Sequence, residues 1–459
     1  MENITKWRPK HKYRKLTDQE KSKKRDKYGI IAVGNSIPSI ISSFRSMRLP
    51  KAFRKALKSE KIKKPLPLQR QGIPIALLGR DALIISISRE GKTLIFCLPL
   101  IIASIQEQLR LPFSENEGPL GLIIVPSREL ANQIFTFLKD FLHNLKGYPK
   151  ISICLCVGGI SMQDQLETLQ KGVHIVISTP GRLSDLLNKN KINLKLLRIL
   201  VLDEADRLLD LGFDEEVRTV LSHTSFNMQI ILSSSTLPKR MQEFASNFMK
   251  SPVYISSSRS EIKKLQITHI CEIVTNEGKL LKLLESLMKT EPPILVFCEN
   301  KTENDSLQEF LSQRKIECAS LHGGKMQNLR SKAINDFNKG YIKVLIATDM
   351  AAKGLSFEKV KHVINFDLPK DIDAYMQRVC RGSKKVHVTS FITYKNDKRF
   401  LKDLAEFVEE IGGEMPEFIQ EIRGEVESKC EFCSIRGHKK FSCSLLQMEM
   451  LKSELPLQR

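Results

Sequence analysis

The sequence lacks an apolar run long enough to cross a membrane. Its longest strongly apolar stretch, Thr93 to Ile105, contains a proline and is well short of the ~20 residues that a membrane helix requires. The first sixteen residues have no apolar core behind their charges, so they do not resemble a secretory signal. We therefore expect a protein without a membrane span that stays inside the cell.

Acidic residues are in deficit. The 459 residues contain 52 Asp and Glu against 73 Lys and Arg, which gives a formal net charge of +21 at pH 7. Lysines and arginines that displace counterions from phosphates supply most non-specific nucleic-acid affinity, so this excess indicates a polyanionic partner. Charge alone does not exclude a basic protein without such a partner. Hydrophobic residues at 41% and charged residues at 27% are close to globular averages, so most of the chain should fold.

The ten cysteines do not imply disulfides in a chain of this length. Seven are scattered, mostly within apolar runs, where a reduced thiol behaves as a small hydrophobe. The remaining three surround a histidine near the end of the sequence, and the four residues are Cys430, Cys433, His438 and Cys443. This C-x2-C-x4-H-x4-C spacing is that of a zinc knuckle, with three thiolates and one imidazole completing a tetrahedral Zn²⁺ shell.

Two interpretations of the knuckle stay open. Zinc could serve only to fold a segment that is too short to form its own core. Alternatively, Phe432, Phe441 and the basic residues around them are suited to contact the bases of single-stranded RNA. The two interpretations do not exclude each other.

Short runs rich in Ile, Val and Leu alternate with segments of helical spacing along most of the chain. Nearly continuous apolarity indicates strands buried on both faces, hence parallel sheets covered by helices. The first series of predicted strands is 81–86, 121–127, 151–157, 173–179, 199–206 and 229–235. The second series is 268–274, 293–299, 318–323, 343–349, 362–368 and 386–393. The fold class predicted is therefore α/β, with two similar-sized domains in tandem.

The predicted division has five parts. Residues 1–43 form a basic N-terminal extension, whose segment Lys6 to Lys27 reads as a solvated arm or a frayed helix. Residues 44–258 form the first domain, 259–267 a linker, 268–420 the second domain and 421–459 the zinc-knuckle tail. The serine-rich stretch Ser251 to Lys264 interrupts the strand pattern, which is why we place the linker in this region.

The segment SISREGKT, Ser86 to Thr93, follows a predicted strand and precedes an apolar helix, where a phosphate-binding loop belongs. Backbone N–H groups and the helix N-terminus would face the phosphates, Lys92 would reach the β and γ oxygens, and the Thr93 hydroxyl would bind Mg²⁺. On its own the GKT tripeptide is a weak signal.

A second signal lies a little over a hundred residues further on. The segment LVLDEAD places Asp203 and Glu204 at the end of a predicted buried strand. Asp203 can hold Mg²⁺ through water, and Glu204 can take the proton from an attacking water. A solvated acidic helix start would not explain carboxylates directly after an apolar strand. Together the two signals predict a nucleotide-hydrolysing site.

From about residue 44 to 400 the chain resembles the DEAD-box RNA helicases. The ordered motifs that carry the resemblance are PLPLQ (65–69), SISREGKT (86–93), PSREL (126–130), VGG (157–159), TPGR (179–182), DEAD (203–206), SST (234–236), VFCE (296–299), QNLR (327–330), ATDMAAKGLSF (347–357) and QRVCRGSK (377–384). The resemblance implies two tandem RecA-like domains that use ATP and Mg²⁺ and bind single-stranded or short duplex RNA.

The resemblance also implies roles for individual residues. Gln69 would read the adenine edge and Phe44 would pack on the ring, while Arg381 and Lys384 would reach the γ-phosphate from the second domain. The implied nucleotide-binding set is Phe44, Gln69, Ser88, Arg89, Glu90, Gly91, Lys92, Thr93 and Asp203. The implied RNA-binding set is Arg128, Gly159, Thr179, Gly181, Arg182, Arg330 and Thr348.

Several positions depart from the family pattern. Arg89 stands where the family has glycine, and Glu90 puts a like charge near the phosphates, at a cost of roughly 1 kcal/mol or more at an effective dielectric constant of ~20. Ser356 replaces an aspartate that contacts the ribose, and Ser235 replaces an alanine. In the last motif Gln377, Cys380, Ser383 and Lys384 replace histidine, two glycines and arginine.

Two functions from different classes remain open on the sequence. In the first, the chain is an RNA-dependent ATPase that clamps RNA and separates short duplexes. In the second, it is an RNA-binding scaffold with weak or no ATP turnover. The knuckle after the core and the segment Lys27 to Phe44 resemble the Abstrakt-type helicases. That resemblance implies a nuclear protein that works with spliceosomal proteins in pre-mRNA splicing. We also expect the chain to be monomeric on its own.

Overall fold

The computed structural model describes residues 5–86, 90–224, 228–257, 266–352, 357, 359–379, 381–382, 385–393 and 398–410. The chain divides into two compact units, residues 1–258 and 259–459. Each unit is an α/β structure built on one sheet. The four residues of the expected zinc knuckle lie outside the described residues.

The first unit is built on eight strands in the order β1-β8-β2-β7-β6-β3-β5-β4. The strands are β1 Ile30–Val33, β2 Ala82–Ile85, β3 Gly121–Ile124, β4 Ile153–Cys156, β5 Ile175–Ser178, β6 Ile199–Asp203, β7 Gln229–Ser234 and β8 Val253–Ser257. The central strands are buried on both faces, as their continuous apolarity predicts. All of the strand pairs are parallel except the antiparallel pair of β1 and β8 at one edge.

Two helices of the first unit precede β1, and the others lie between the strands. The helices are α1 His11–Arg14, α2 Asp18–Lys27, α3 Lys51–Ser59, α4 Pro67–Leu77, α5 Lys92–Arg110, α6 Arg128–His143, α7 Met162–Gln170, α8 Pro180–Asn188, α9 Ala205–Asp210, α10 Asp214–Ser222 and α11 Lys239–Phe248. The strongly apolar stretch Thr93 to Ile105 is extended in the structure to the whole of α5, which, within the described part of the chain, is long and apolar enough to cross a membrane by length and composition. Its residues Leu94 to Ile101 are all buried, so α5 is a core helix of this unit.

The prediction of a solvated arm or a frayed helix before the first domain is wrong for Trp7 and Tyr13, whereas α2, Asp18–Lys27, is a helix with no buried residue. Trp7 and Tyr13 are buried in the core of the first unit, and the Trp7 indole donates to the carbonyl of Met47. The side chain of Gln106 in α5 donates to the Thr5 carbonyl at 2.8 Å. The arm therefore docks on the first unit through its few apolar residues, while its numerous cations stay at the surface.

The serine-rich stretch that the sequence suggests as a linker is in part a strand. Residues Val253–Ser257 form β8, which pairs with β2 on one side and with β1 on the other. Tyr254 is 1% exposed. The serines misled the prediction because the alternation Val253, Ile255 is short and is followed by polar residues, although these two side chains complete the core.

The second unit has six strands in the order β11-β12-β10-β13-β14-β9, and every described pair is parallel. The strands are β9 Gln266–Ile273, β10 Ile294–Phe297, β11 Cys318–Leu321, β12 Val344–Ala347, β13 His362–Asn365 and β14 Lys385–Ile392. The helices are α12 Lys279–Lys289, α13 Lys301–Gln313, α14 Gln327–Lys339, α15 Asp349–Ala352, α16 Ile372–Val379 and α17 Lys398–Glu410. Gln266 and Ile267, expected at the end of the linker, already belong to β9.

Candidate nucleotide and RNA sites

Three neighbouring strands bring the expected nucleotide residues of the first unit to one edge of the sheet. Strand β7 lies between β2 and β6, with Ile85 opposite Ser234 and Asp203 opposite Ser233. Because the three strands are parallel, their carboxyl ends meet at the same edge, where ligands bind in open α/β sheets. The segment after β2, the acidic segment after β6 and the SST segment at the end of β7 are therefore neighbours.

Lys92 connects two of these strand ends. Its Nζ donates to the carbonyl of Ser86 at 2.6 Å and to the carbonyl of Ser234 at 3.0 Å. Thr93 follows in the first turn of α5 and is half-buried, as is Glu90. Ser88 and Arg89 lie outside the described residues. The start of α5 thus presents a cation, a hydroxyl and helix N–H groups at the edge, a combination suited to phosphate.

The Gln69 side chain is hydrogen-bonded to the loop that precedes α5. The Leu66 N–H donates to Gln69 Oε1 at 2.9 Å, and Gln69 Nε2 donates to the Gly91 carbonyl at 2.9 Å. Gly91 has φ +71°, and a Cβ built on it would lie 2.1 Å from Gln69 Nε2. Only glycine therefore fits here. Phe44, expected to pack on adenine, is 5% exposed and belongs to the core of the unit.

The acidic segment begins with a deeply buried carboxylate. Asp203 is 5% exposed and accepts the Glu204 N–H at 3.1 Å. Burial raises the pKa of Asp203, and the nearby Lys92 ammonium opposes that shift. Glu204 has φ +52°, a left-handed conformation that is strained for a residue with a side chain. Its carboxylate lies 3.6 Å from the Arg207 guanidinium.

The residues at this edge fit Mg²⁺. The Asp203 carboxylate and the Thr93 hydroxyl are hard oxygen donors, which Mg²⁺ prefers, and Lys92 beside them suits the phosphates that usually supply further ligands. Among the described residues no group of three or more His, Cys, Asp or Glu side chains could hold a metal ion by itself.

Asp206, which the sequence interpretation did not single out, joins the acidic segment to the SST segment. Its Oδ2 accepts the Ser235 hydroxyl at 2.6 Å and the Thr236 hydroxyl at 3.1 Å, and Asp206 is 3% exposed. Ser235 stands where the family has alanine, so this chain has a hydroxyl donor that alanine lacks. Asp206 is the last residue of the DEAD motif, so the sequence could have indicated it. Its hydrogen-bond partners lie at the end of the neighbouring strand β7, which the motif does not reveal.

The expected RNA residues of the first unit gather at another part of the same edge, after β3, β4 and β5. Arg128 is the first residue of α6, and a Cβ on Gly159 would lie 2.6 Å from its Nη1. Thr179 precedes α8, Gly181 is exposed with open space around its Cβ position, and Arg182 lies in the first turn. The structure thus brings all five residues to one surface.

In the second unit, Arg378 is the centre of a buried polar network beside Arg381, although the sequence interpretation did not select it. It is 3% exposed and forms a bidentate pair with Asp349, through Nε to Oδ1 at 2.6 Å and Nη2 to Oδ2 at 2.7 Å. Arg381 is buried nearby and lines the same cavity of about 70 Å³. Its expected partner Lys384 lies outside the described residues.

A buried polar chain continues from this arginine. Arg378 Nη1 donates to Asn365 Oδ1 at 3.2 Å, and Asn365 Nδ2 donates to the Ser390 hydroxyl at 3.0 Å. The Ser390 hydroxyl lies 2.7 Å from the Tyr375 hydroxyl, which also contacts His269 Nε2. Burial lowers the pKa of His269 to about 4, so this imidazole is neutral near pH 7. This chain of hydrogen bonds holds α16, the helix that carries Tyr375 and Arg378, in place.

The two RNA residues expected in the second unit lie at the same edge of its sheet. Thr348 directly follows β12, is 7% exposed and accepts the N–H of Ala351 at 3.0 Å. Arg330 lies in the first turn of α14, with its Nη1 3.5 Å from Gln327 Oε1. Thr348 comes directly after β12 and Arg330 lies in the helix that follows β11, just as the RNA residues of the first unit come after β3, β4 and β5.

The comparisons with known proteins agree with this geometry. Residues 66–244 match the DEAD/DEAH box helicase family, and residues 277–384 match the helicase conserved C-terminal domain. The chain is 40% identical to a probable ATP-dependent RNA helicase, ddx41, of Dictyostelium discoideum, over 97% of this chain and 70% of the relative. It is 38% identical to the ATP-dependent RNA helicase abstrakt of Drosophila melanogaster, over 96% of this chain and 74% of the relative.

Solved structures share the fold. Dbp5 of S. cerevisiae bound to RNA and ADP BeF3 superposes with a TM-score of 0.69 at 25% identity, covering 84% of this chain and 99% of that one. The yeast DEAD-box splicing factor Prp28 gives a TM-score of 0.51 at 26% identity, covering 90% and 96%. Two tandem RecA-like units with parallel sheets are thus confirmed. The chain belongs to the DEAD-box ATP-dependent RNA helicases, which are RNA-dependent ATPases that use ATP with Mg²⁺.

The Gln69–Gly91 contact predicts a specific effect on ATP binding. Gly91→Ala forces a Cβ into the Gln69 amide, so we expect the KM for ATP to rise by about tenfold, equivalent to roughly 1.4 kcal/mol. Gly147→Ala is the matched control, since Gly147 has φ +85° and nothing lies within 4 Å of its Cβ position. Steady-state ATPase kinetics measure both variants. Equal KM values for the two would contradict a role for the Gln69 contact.

Proposed function

We propose that the chain clamps and remodels single-stranded or short duplex RNA through RNA-dependent ATP hydrolysis, in the nucleus and in pre-mRNA splicing. One observation carries the catalytic part of the proposal. The Lys92 ammonium bridges the Ser86 and Ser234 carbonyls and influences the buried Asp203, so the cation and the carboxylate expected at a nucleotide site share one edge.

Each residue at this edge then has a distinct task. Lys92 and the N-terminal N–H groups of α5 hold the phosphates, and Glu204 takes the proton from the attacking water. Thr93 and Asp203 would hold Mg²⁺, which neutralises charge on the phosphates when it is bound. Arg381 and Lys384 would supply further positive charge from the second unit, so that the transition state is stabilised only when both units engage the nucleotide.

The Asp206 contacts suggest how the nucleotide affects the rest of the unit. Lys92 shares the Ser234 carbonyl with the SST segment, and Asp206 holds the two residues that follow. A phosphate that binds Lys92 would therefore compete with the Ser234 carbonyl and change the contacts that hold the SST segment. We propose that Ser234, Ser235 and Thr236 link the nucleotide to closure of the two units.

RNA would be held mainly by its backbone. Arginine and lysine side chains and N–H groups at helix starts bind phosphate and ribose, which positions a strand without reading its bases. The proposed set is Arg128, Gly159, Thr179, Gly181, Arg182, Arg330 and Thr348. Sequence specificity should accordingly be low, and discrimination against DNA should come from the 2′-hydroxyl. The solved Dbp5 structure, which contains RNA and ADP BeF3, supports a shared grip of this kind.

The splicing part of the proposal is supported by similarity. Prp28 is described as a splicing factor, and abstrakt lies among the relatives that match nearly the whole chain. Nuclear localisation and spliceosomal protein partners are proposed on the same basis. The C-terminal cysteines add a further proposal, a zinc knuckle formed by Cys430, Cys433, His438 and Cys443 outside the described residues, which would give RNA a second point of contact.

A scaffold with little turnover remains the second candidate because of the atypical phosphate loop. Glu90 is half-buried next to Gly91, where a carboxylate repels the phosphates. The residues required for hydrolysis are nevertheless present, namely Lys92, Thr93, Asp203, Glu204 and Arg381. We therefore favour the active enzyme.

Glu204→Gln separates the two candidates. If Glu204 is the general base, the substitution should lower the RNA-stimulated kcat by about a hundredfold or more, because general-base catalysis typically contributes that much. Glu243→Gln on the exposed side of α11 is the matched control and should leave kcat unchanged. ATP hydrolysis is measured with and without single-stranded RNA. A basal rate that RNA fails to raise, and that Glu204→Gln leaves unaltered, would favour the scaffold.

The knuckle predicts bound metal. Elemental analysis of the full chain should find about one zinc ion per molecule, and Cys433→Ser should lower that content, since structural zinc sites need all four ligands. Cys271→Ser in β9 is the control and should retain the metal. A metal-free chain whose C-terminal segment is folded would refute the knuckle.

A further inference from the structure

The geometry points to Gln165 as a positioning residue for RNA, a residue that holds the turn around Gly159 and the Arg182 guanidinium in place without touching the strand. The inference rests on the proposed function, because the RNA roles of Gly159 and Arg182 belong to it. Gln165 lies in the middle of α7 and is 4% exposed.

The Gln165 amide has partners on both of its ends. Nε2 donates to the Val157 carbonyl at 3.0 Å and to the Ile160 carbonyl at 3.3 Å. Oε1 accepts from Arg182 Nη1 at 3.2 Å. Both amide N–H donors are thus used within the described part of the chain, and the carbonyl oxygen faces the guanidinium. A buried amide satisfied in this way fixes the groups around it.

These partners belong to two separate RNA-binding segments. Val157 and Ile160 flank the two glycines of the turn that joins β4 to α7. Arg182 lies at the start of α8, after β5, which pairs with β4. The Gln165 amide is therefore a direct connection between the VGG turn and the TPGR segment. Sheet pairing alone aligns the two strands but does not set the direction of the Arg182 side chain.

Arg128 packs against the other side of the same turn. A Cβ on Gly158 would lie 2.8 Å from Arg128 Nη2, and one on Gly159 would lie 2.6 Å from Nη1. The turn is consequently held between the Arg128 guanidinium and the Gln165 amide, while Gly159 is exposed to solvent. Both arginines and the glycine backbone are in this way set in one arrangement before a ligand arrives.

Such an arrangement favours binding through entropy. A free arginine side chain loses rotamer freedom when it binds phosphate, whereas one that is already oriented loses less. Within the described part of the chain, Arg182 uses one of its five N–H donors on Gln165 and can offer others to a phosphate. Gln165 should therefore increase RNA affinity through Arg182, without any effect on ATP binding.

A double-mutant cycle on the full chain tests the inference. The variants are Gln165→Met, Arg182→Met and the double variant, with Gln163→Met as the matched control on the exposed face of α7. The Kd for a uridine oligonucleotide is measured with a non-hydrolysable ATP analogue at several salt concentrations, beside the KM for ATP and the Tm. We expect Arg182→Met to weaken binding about tenfold and to reduce the salt slope by about one.

The coupling between the two residues decides the outcome. Gln165→Met should weaken RNA binding about threefold to tenfold and leave the KM for ATP unchanged. The loss in the double variant should be smaller than the sum of the two single losses, because residues that act through one another are not additive. Gln163→Met should behave as the unaltered protein.

Four results would overturn the inference. Additive losses in the double variant would show that Gln165 does not act through Arg182. A lower Tm for Gln165→Met with an unchanged Kd would show a role in folding alone. If Arg182→Met weakens RNA binding and Gln165→Met does not, Gln165 has no positioning role, but the proposed function still stands. If Arg182→Met does not weaken RNA binding, Arg182 has no RNA role and the inference fails with it.

Discussion

The pairing of β7 with both β2 and β6 is the constraint on which the nucleotide site depends. All three strands are buried, so polar groups can only lie where the strands end. Their register places Ser234 beside Ile85 and Asp203 beside Ser233. Lys92 then bonds to the carbonyls at the ends of β2 and β7. The Lys92 ammonium group thereby joins the ends of β2 and β7, and its charge opposes the rise in the pKa of the buried Asp203 at the end of β6. A nucleotide phosphate that binds this ammonium group would therefore affect all three strand ends.

Most of the fold could be predicted from apolar runs. The twelve strands expected from continuous Ile, Val and Leu are present, several with the same first residue, such as β3, β6 and β7. The two missed strands, β1 and β8, pair with each other at the sheet edge. Of the two, β1 is the edge strand and is only partly buried, whereas β8 lies between β1 and β2 and was missed because serines follow Val253, Tyr254 and Ile255. Docking of the arm was also missed, since Trp7 and Tyr13 are isolated among cations and their burial depends on surfaces formed much later in the chain.

The sequence predicted candidate residues for the sites, but not the contacts that these residues make. The motifs place Asp203 at the end of β6 and Lys92 and Arg182 in the helices that follow β2 and β5, because a short motif after an apolar run fixes the position of a loop. Their roles stay predictions. The motifs did not indicate Asp206, Arg378 or Gln165 as organising residues. Those side chains matter through partners on neighbouring strands and helices, and single-sequence spacing does not reveal such partners. For Gln69 the structure shows an amide engaged with Leu66 and Gly91, and its contact with adenine stays a prediction.

The central claim is that ATP and RNA together draw the two units into a closed state that neither ligand produces alone. Fluorescence energy transfer between dyes on the first and the second unit tests it most directly, for example at the exposed positions Leu111 and Met288. We predict a change in transfer efficiency when a non-hydrolysable ATP analogue and single-stranded RNA are added together, and little change with either one alone. The same efficiency under all four conditions would contradict the account.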